Sequence, residues 1–236
     1  MSKKILPISL CTFVKNEEKN IRGCIESVFP IVQEVVVVDC GSTDNTIEIA
    51  KEYTDRVYSI PFSDFGNIRT LTAHFANAPW VFMLDADERI LSEDWPIFEE
   101  LINQPIGITG NSKEFDENGN IVIDSWAIPR KRWKDKKMTI REDAESYPDW
   151  QVRLFRNHQN RAKIYFRRRV HEQVAGCIRT EQSIKGPIIQ HFQNTNKDES
   201  KLLERQKFYE NLRALDVAEG VIHDVPATVK IDKVTE

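Results

Sequence analysis

The chain of 236 residues has only 9 glycines, 4 cysteines and a net charge of −4, and each shortage removes a class of protein. The segment after the first apolar run, Thr12-Phe13-Val14-Lys15-Asn16-Glu17, contains no glycine. A dinucleotide fingerprint and a P-loop both need glycine there, because the backbone must approach phosphate closely. Cys11, Cys24, Cys40 and Cys177 are scattered and form no C-x-x-C pair. They read as buried free thiols of a reducing compartment. No stretch approaches the roughly 18 uncharged apolar residues of a membrane span. The apolar segment near the N-terminus is short and runs into Lys15-Asn16-Glu17-Glu18, so it is a strand candidate and not a signal peptide. The small net charge argues against a general nucleic-acid binder. The expected location is cytoplasmic, with peripheral contact at the inner face of a membrane left open.

What is present suffices for a packed core: 40% of residues are hydrophobic and 30% charged. The length fits one large domain, residues 1–220, with a tail at 221–236. In the first half, β-prone runs alternate with helical spacing. Ile5–Val14 reads as a strand, and Ile21, Cys24, Ile25 and Val28 mark one face of a helix over Lys15–Phe29, with Asn16 as its N-cap. Glu34–Asp39 is a continuous β-branched run, which predicts a strand buried on both faces. Thr43–Tyr53 and Asn67–Ala78 read as helices, Val57–Ile60 and Trp80–Leu84 as strands. The alternation predicts an α/β sheet layered with helices. Ser92–Asn103 reads as a helix with Trp95, Phe98 and Leu101 inward. Beyond it Ile106–Ile128 is turn-rich and antiparallel in character, with a hairpin loop at Glu117-Asn118-Gly119-Asn120, and Ser200–Glu219 is a clear helix.

Open α/β sheets bind ligands at the carboxyl ends of their strands, so the strand ends carry the chemistry. One ends in Asp39-Cys40-Gly41-Ser42-Thr43-Asp44, another in Asp85-Ala86-Asp87-Glu88. Two carboxylates spaced i, i+2 at a strand end can hold a hard divalent cation, and the cation can hold phosphate oxygens. Acidic strand ends without a glycine-rich loop point to phosphate held through metal. Asp44 reads mostly as a helix cap, Asp39 as a functional group.

Asn16-Glu17-Glu18, Asp39 to Asp44, Arg69 and Trp80 to Glu88, in this order and spacing, resemble the family-two glycosyltransferases of the GT-A fold. Tyr147-Pro148-Asp149-Trp150-Gln151-Val152-Arg153-Leu154-Phe155, Val170-His171-Glu172 and His191 resemble one branch, bacterial enzymes related to the lipopolysaccharide core β-1,4-glucosyltransferases. The resemblance covers roughly residues 5–195. It implies a Rossmann-like mixed sheet flanked by helices, with a nucleotide-binding half at 1–104, a smaller antiparallel acceptor-side half at 105–199 and a C-terminal helix at 200–220. It implies a nucleoside diphosphate sugar donor, a saccharide acceptor and a divalent cation, Mn²⁺ or Mg²⁺. Thr12, Val14, Asn16 and Glu17 should line the nucleotide pocket, Asp39 should meet uracil or ribose, and Arg69 should help bind the nucleotide. The family usually has Asn where this chain has Thr70. Asp85, Ala86 and Asp87 form the DXD motif, Asp87 the direct metal ligand and Asp85 directed to ribose or metal-bound water.

Transfer with inversion also needs a base for the acceptor hydroxyl. Asp149 is the first candidate and Glu172 the alternative; the structural reading of Asp149 is a pairing with Arg153 or another arginine. Trp150 and Arg153 are candidate acceptor contacts, with Tyr147 a further stacking platform. His171 and His191 compete to complete the metal shell. The basic tracts Arg130–Lys137 and Arg161–Arg169 read either as solvated faces or as contacts to an anionic, lipid-linked acceptor. A sugar nucleotidyltransferase would want the missing glycine loop. A non-catalytic nucleotide-sugar or glycan-binding module remains the other reading.

Overall fold

The computed structural model describes residues 4–103, 123–142, 145–157, 165–169, 173–177, 179–192 and 199–218. In chain order the elements are β1 (Leu6–Val14), α1 (Ile21–Glu26), β2 (Val32–Asp39), α2 (Thr46–Lys51), β3 (Val57–Ser59), α3 (Phe65–His74), β4 (Trp80–Met83) and β5 (Glu88–Ile90). A 3-10 turn (Ser92–Asp94) leads into α4 (Trp95–Asn103). Then follow β6 (Ser125–Arg132), β7 (Asp149–Arg156), β8 (Tyr165–Arg167), β9 (Gln173–Ala175), β10 (Thr180–Gln182), β11 (Ile189–His191) and α5 (Glu199–Ala218). The expected α/β layering is present. The expected hairpin loop at Glu117–Asn120 lies outside the described residues.

The main sheet has nine strands in the order β3-β2-β1-β4-β7-β6-β11-β5, with β10 beside β6. The strands β3, β2, β1 and β4 run parallel, whereas β7 is antiparallel to both β4 and β6. β11 runs parallel to β6 and antiparallel to β5. Strand order reverses between β1 and β4, which makes the carboxyl ends of these two strands the switch point where open sheets take ligands.

Both faces of the parallel half are covered, which explains the unbroken apolar runs. Leu6, Ile8, Leu10 and Val14 of β1 face α1 and α4, packing with Ile21, Cys24, Ile25, Phe98 and Leu101. Cys11 points the other way, with Val36, Met83, Phe155, Phe166 and Ala73 of α3. The β8–β9 pair closes over α3 on that second face. The α5 helix joins it through Phe208 and Tyr209, which meet Phe62 and Phe65. Arg169 donates its backbone N–H and Nη1 to the buried Asp216 of α5, 3.1 and 3.2 Å away. The second basic tract is therefore partly a docking element and not simply a solvated face.

Several expected boundaries shift. The first helix begins at Ile21, not Lys15, and Asn16 is not its cap. Asn16 sits at φ 55° and accepts the Thr43 N–H on its Oδ1 at 2.7 Å. Side-chain bonds to the neighbouring β2–α2 loop outcompete the helical turn there, and Asn tolerates the left-handed conformation. Thr43–Tyr53 likewise shortens to Thr46–Lys51, with Asn45 at the N-cap position. Asp44, expected as a helix cap, instead bonds just outside the helix: Oδ1 accepts the Thr46 N–H two residues on, and Oδ2 the Glu18 N–H of the neighbouring loop.

Gly66, in the first turn of α3, allows the closest approach in the fold. A Cβ there would lie 2.4 Å from the Arg168 carbonyl oxygen and 2.9 Å from that of Phe166. The obstacle is backbone, so it cannot rotate away. Gly66→Ala should destabilise the protein by about 1–3 kcal/mol, despite alanine's better helix propensity. Urea unfolding checks this; a stabilised variant would contradict the close packing of α3 on β8.

Candidate active site

The turn after β4 is fixed at nearly every backbone group. The Leu84 N–H donates to the Cys11 carbonyl at 3.1 Å. The Asp85 N–H donates to Glu88 Oε2 at 3.0 Å, and the Glu88 N–H returns to the Asp85 carbonyl at 2.9 Å. Arg89 Nη1 holds the Ala86 carbonyl at 2.7 Å. Gly23 in α1 leaves room for that guanidinium, since a Cβ there would meet Arg89 Nε at 2.6 Å.

Within this frame the first two carboxylates have different partners. Asp85 is gripped by two buried arginines, Arg69 Nη2 at 2.7 Å and Arg153 Nη2 at 2.9 Å. Burial opposes its ionisation, but Arg153 and Arg69 overcome that and hold the carboxyl well below the usual carboxylate range. Asp87 instead faces His191, with Oδ2 and Nε2 3.5 Å apart. The Phe192 N–H donates to the Asp87 carbonyl at 2.9 Å, tying the turn to the end of β11.

Register explains why distant residues meet here. Glu88 pairs with His191, His191 with Arg132, and Arg130 with Asp149. Paired residues of adjacent strands point to the same face, and so do residues two apart on one strand. Glu88, His191, Arg130, Arg132, Asp149 and Gln151 therefore share one face at one end of the sheet, and a register irregularity in β7 skips Arg153, whose side chain still reaches Glu88.

Asp149 is a hub. Its Oδ2 accepts from Arg130 Nε at 3.0 Å, Arg130 Nη2 at 2.7 Å and Arg132 Nη2 at 2.9 Å. Its Oδ1 accepts from Gln151 Nε2 at 2.7 Å. Burial would raise its pKa, but Arg130, then Arg132 and Gln151, pull it down to about 2. It pairs with Arg130 and Arg132, not with Arg153. Arg153 turns the other way, to Asp85 and to Glu88 at 3.2 Å, and lies buried. That places it behind the Asp-Ala-Asp turn and not on an open acceptor surface. Trp150 is half-buried beside Asp149, and the ring of Tyr147 has the cations of Lys131 and Arg141 5.3 and 4.9 Å from its centroid. The first basic tract thus turns Arg130 and Arg132 inward.

On the β1–β2 side, Asp39 is buried and accepts the Gly41 and Ser42 N–H groups at 3.0 and 3.1 Å. Asn16 donates its N–H to Ser42 Oγ at 2.9 Å, and Glu17 donates its N–H to Thr46 Oγ1 at 2.8 Å. Val14 packs in the core, and Ala86 is buried against the same cluster. Thr12 is buried with Oγ1 unbonded among the described residues. Phe13 carries Arg69 over its ring at 5.0 Å, linking the two sides. Thr70, at the position where resemblance predicts Asn, accepts the Phe166 N–H at 2.8 Å and so serves the α3–β8 contact. His171 and Glu172 lie outside the described residues. A cavity of about 470 Å³ lined by Ile5, Phe29, Pro30 and Tyr53 opens at the opposite, amino ends of β1 and β2 and brings no part of this site together.

The residues fit a divalent cation in one place. His191 is buried, Nε2 faces Asp87 at a separation too long for a good hydrogen bond, and Nδ1 has no hydrogen-bond partner among the described residues. A buried imidazole left so poorly satisfied by the chain suits a metal ligand. Asp85, committed to two arginines, suits an indirect role. No group of three or more His, Cys, Asp or Glu side chains converges among the described residues. The chain would supply two ligands there, leaving the other positions to water and donor oxygens.

Sequence reasoning noted Glu88 only as a third acidic residue, yet it is fully buried and bonded to Arg130 and Arg153. The available signal was an acid opening a short strand whose third residue is the buried Ile90.

The profile of glycosyl transferase family 2 matches residues 9–141. A TPR repeat-containing protein of Synechococcus elongatus is 27% identical over 78% of this chain and 42% of its own length. The lipopolysaccharide core biosynthesis glycosyltransferase LpsC of Rhizobium meliloti is 34% identical over 36% of this chain and 33% of its own. The chain spans less than half the length of these curated relatives. Among solved structures, glucosyl-3-phosphoglycerate synthase from Mycobacterium tuberculosis with Mg²⁺ and UDP is 26% identical, covering 41% of this chain and 39% of that one at a TM-score of 0.36. TarS of S. aureus is 20% identical, covering 65% and 29% at a TM-score of 0.45.

The Asp149 network sets an acid sensitivity. Its pKa is depressed in the folded state, so its stabilisation is full above the unfolded pKa of about 4 and disappears as pH falls to about 2. The shift corresponds to roughly 2 kcal/mol. Asp149→Asn should lack this part of the acid-induced loss. Urea unfolding of both proteins at pH 5 and pH 3 measures it, and parallel losses would refute the assignment.

Proposed function

We propose that this chain, which belongs to glycosyl transferase family 2, is a metal-dependent inverting transferase that moves a sugar from a UDP-sugar to a cell-envelope saccharide, lipopolysaccharide core being the leading instance. One observation carries the reading. The strand register gathers the Asp87–His191 pair, the arginine-held Asp85 and the carboxylate of Asp149 at the one sheet end that lies beside the switch point.

In this reading the parallel half takes the nucleotide. Asp39, the end of β1 at Thr12 and Val14, and the following loop at Asn16 and Glu17 line the base and ribose, and Arg69 and Arg153 fix Asp85 toward the ribose. Asp87 and His191 hold a divalent cation, with His171 the competing ligand. The mixed oxygen and nitrogen donors favour Mn²⁺ over Mg²⁺. Bound there, the cation would neutralise charge on the departing diphosphate. Asp149 is the base, and Glu172 is the alternative. Asp149 takes the proton of the acceptor hydroxyl as that oxygen attacks the anomeric carbon from the face opposite the diphosphate. The bond from that carbon to the diphosphate oxygen breaks, and its electron pair leaves with UDP. Trp150 offers the acceptor sugar an aromatic edge. Lys131, Arg132 and Arg141 make the acceptor side cationic, which supports an anionic, lipid-linked acceptor.

No described helix is long and apolar enough to cross a membrane. Membrane contact therefore rests on the acceptor's chemistry alone.

One observation favours a second reading, a non-catalytic nucleotide-sugar or glycan-binding module. Both oxygens of Asp149 already accept hydrogen bonds, a poor state for a base. Donor hydrolysis separates the two readings. The protein with Mn²⁺ should hydrolyse UDP-glucose or another UDP-sugar slowly, and chelation should stop it. Asp87→Ala and His191→Ala should each reduce this turnover by about 10²-fold or more while thermal melting stays cooperative. Retained turnover in Asp87→Ala would sink the metal role. A full rate in Asp149→Asn would remove Asp149 as base.

A further inference from the structure

Glu88 has no part in the reading so far, yet it is the most deeply placed charge at the site, at 0% exposure. Its Oε2 closes the Asp-Ala-Asp turn by accepting the Asp85 N–H at 3.0 Å. Its Oε1 takes two guanidinium groups, Arg153 Nη2 and Arg130 Nη1, each at 3.2 Å. Those arginines reach in opposite directions. Arg153 goes on to Asp85 at 2.9 Å, and Arg130 goes on to Asp149 at 2.7 Å. The result is one alternating chain of charge: Asp85, Arg153, Glu88, Arg130, Asp149. It joins the donor-side turn to the acceptor-side carboxylate through a single buried residue.

We propose that Glu88 is a positioning residue of the transfer reaction, whose one carboxylate sets Arg153 against the donor-side Asp85 and Arg130 against the acceptor-side Asp149. This rests on the reading of Asp85 and Asp149 as donor and base groups. Glu88 touches neither substrate in this scheme. It acts by fixing the spacing between the donor, held at the Asp85 turn, and the acceptor hydroxyl, held at Asp149, so that this oxygen meets the anomeric carbon in line with the departing diphosphate. A purely apolar residue at this position would bury two arginines without their shared anion and free the Asp85 N–H. An Asp would keep the charge but stop a methylene short of both guanidinium groups.

The test compares Glu88→Gln and Glu88→Asp with the unaltered protein, using UDP-glucose with Mn²⁺ as the donor probe and water as acceptor. Positioning predicts a fall in kcat of about 10²-fold with KM for the donor and UDP–Mn²⁺ affinity unchanged. Glu88→Asp should recover more thermal stability than turnover, since charge balance returns but geometry does not. Equal losses in UDP affinity and turnover, or no loss of turnover, would overturn the proposal. Crystal structures of both variants read the same point without activity. Arg130 and Arg153 displaced from Asp149 and Asp85 supports it, and both arginines unmoved overturns it. Should Glu88→Gln fail to fold, Glu88→Asp carries both measurements. Asp87→Ala and Asp149→Asn run beside them. If those two keep full turnover, the reading of the site fails by itself, whatever the Glu88 variants do.

Discussion

A carboxylate withdrawn wholly from water is tolerated only where cations and donors surround it. Glu88 is such a group, and much of the site follows from satisfying it. Arg130 and Arg153 come to it from neighbouring strands, and the Asp85 N–H comes from its own turn. Once buried, the arginines need further anions, and Asp149 and Asp85 supply them. Arg69 and Arg132 extend the network at its two ends. Four arginines thus meet three carboxylates in a small volume. Such a cluster is weak evidence for stability, because desolvation offsets most of the attraction. Its value lies in geometry, since Arg130 and Arg153 each bridge two carboxylates and Glu88 joins the two arginines.

The sheet makes this cluster possible. The parallel half, covered on both faces, gives rigid strand ends at the switch point. The antiparallel half then brings β7, β6, β11 and β5 edge to edge, so that side chains up to about a hundred residues apart share one face. Glu88, Arg130, Asp149, Arg153 and His191 are consequently built on strands, which holds them more closely than loops would, and Asp85 and Asp87 sit in the short turn between β4 and β5 that these strands flank. Asp87 and His191 face each other at the margin of the charge cluster. The two acids of the turn thus meet different neighbours, Asp85 two arginines and Asp87 a histidine.

Much of the parallel half was legible from residues alone. Period and composition place β1, β2 and β4, because a β-branched run such as Glu34–Asp39 has few alternatives once both faces are buried. The acidic ends at Asp39 and Asp85–Asp87 were visible as charges that stop apolar runs. The start of α1 was not, since Asn16 satisfies its side chain across the β2–α2 loop, and that partner lies 27 residues away. The antiparallel half was less legible. Its strands are short, and their partners cannot be read from a local pattern.

The sequence by itself determined the layered α/β class and the acidic strand ends without a glycine cradle. Those are properties of hydrophobic period and side-chain chemistry, which the chain carries locally. The tertiary structure alone decided how the charges pair. Arg153 could be expected on the acceptor side, but register turns it to Asp85. Arg130 could be expected in solvent, but pairing with β7 turns it to Asp149. Glu88 acquired a role only when three strands met around it. Which opposite charge a buried group finds depends on strand register, and register is fixed by contacts between segments far apart in sequence.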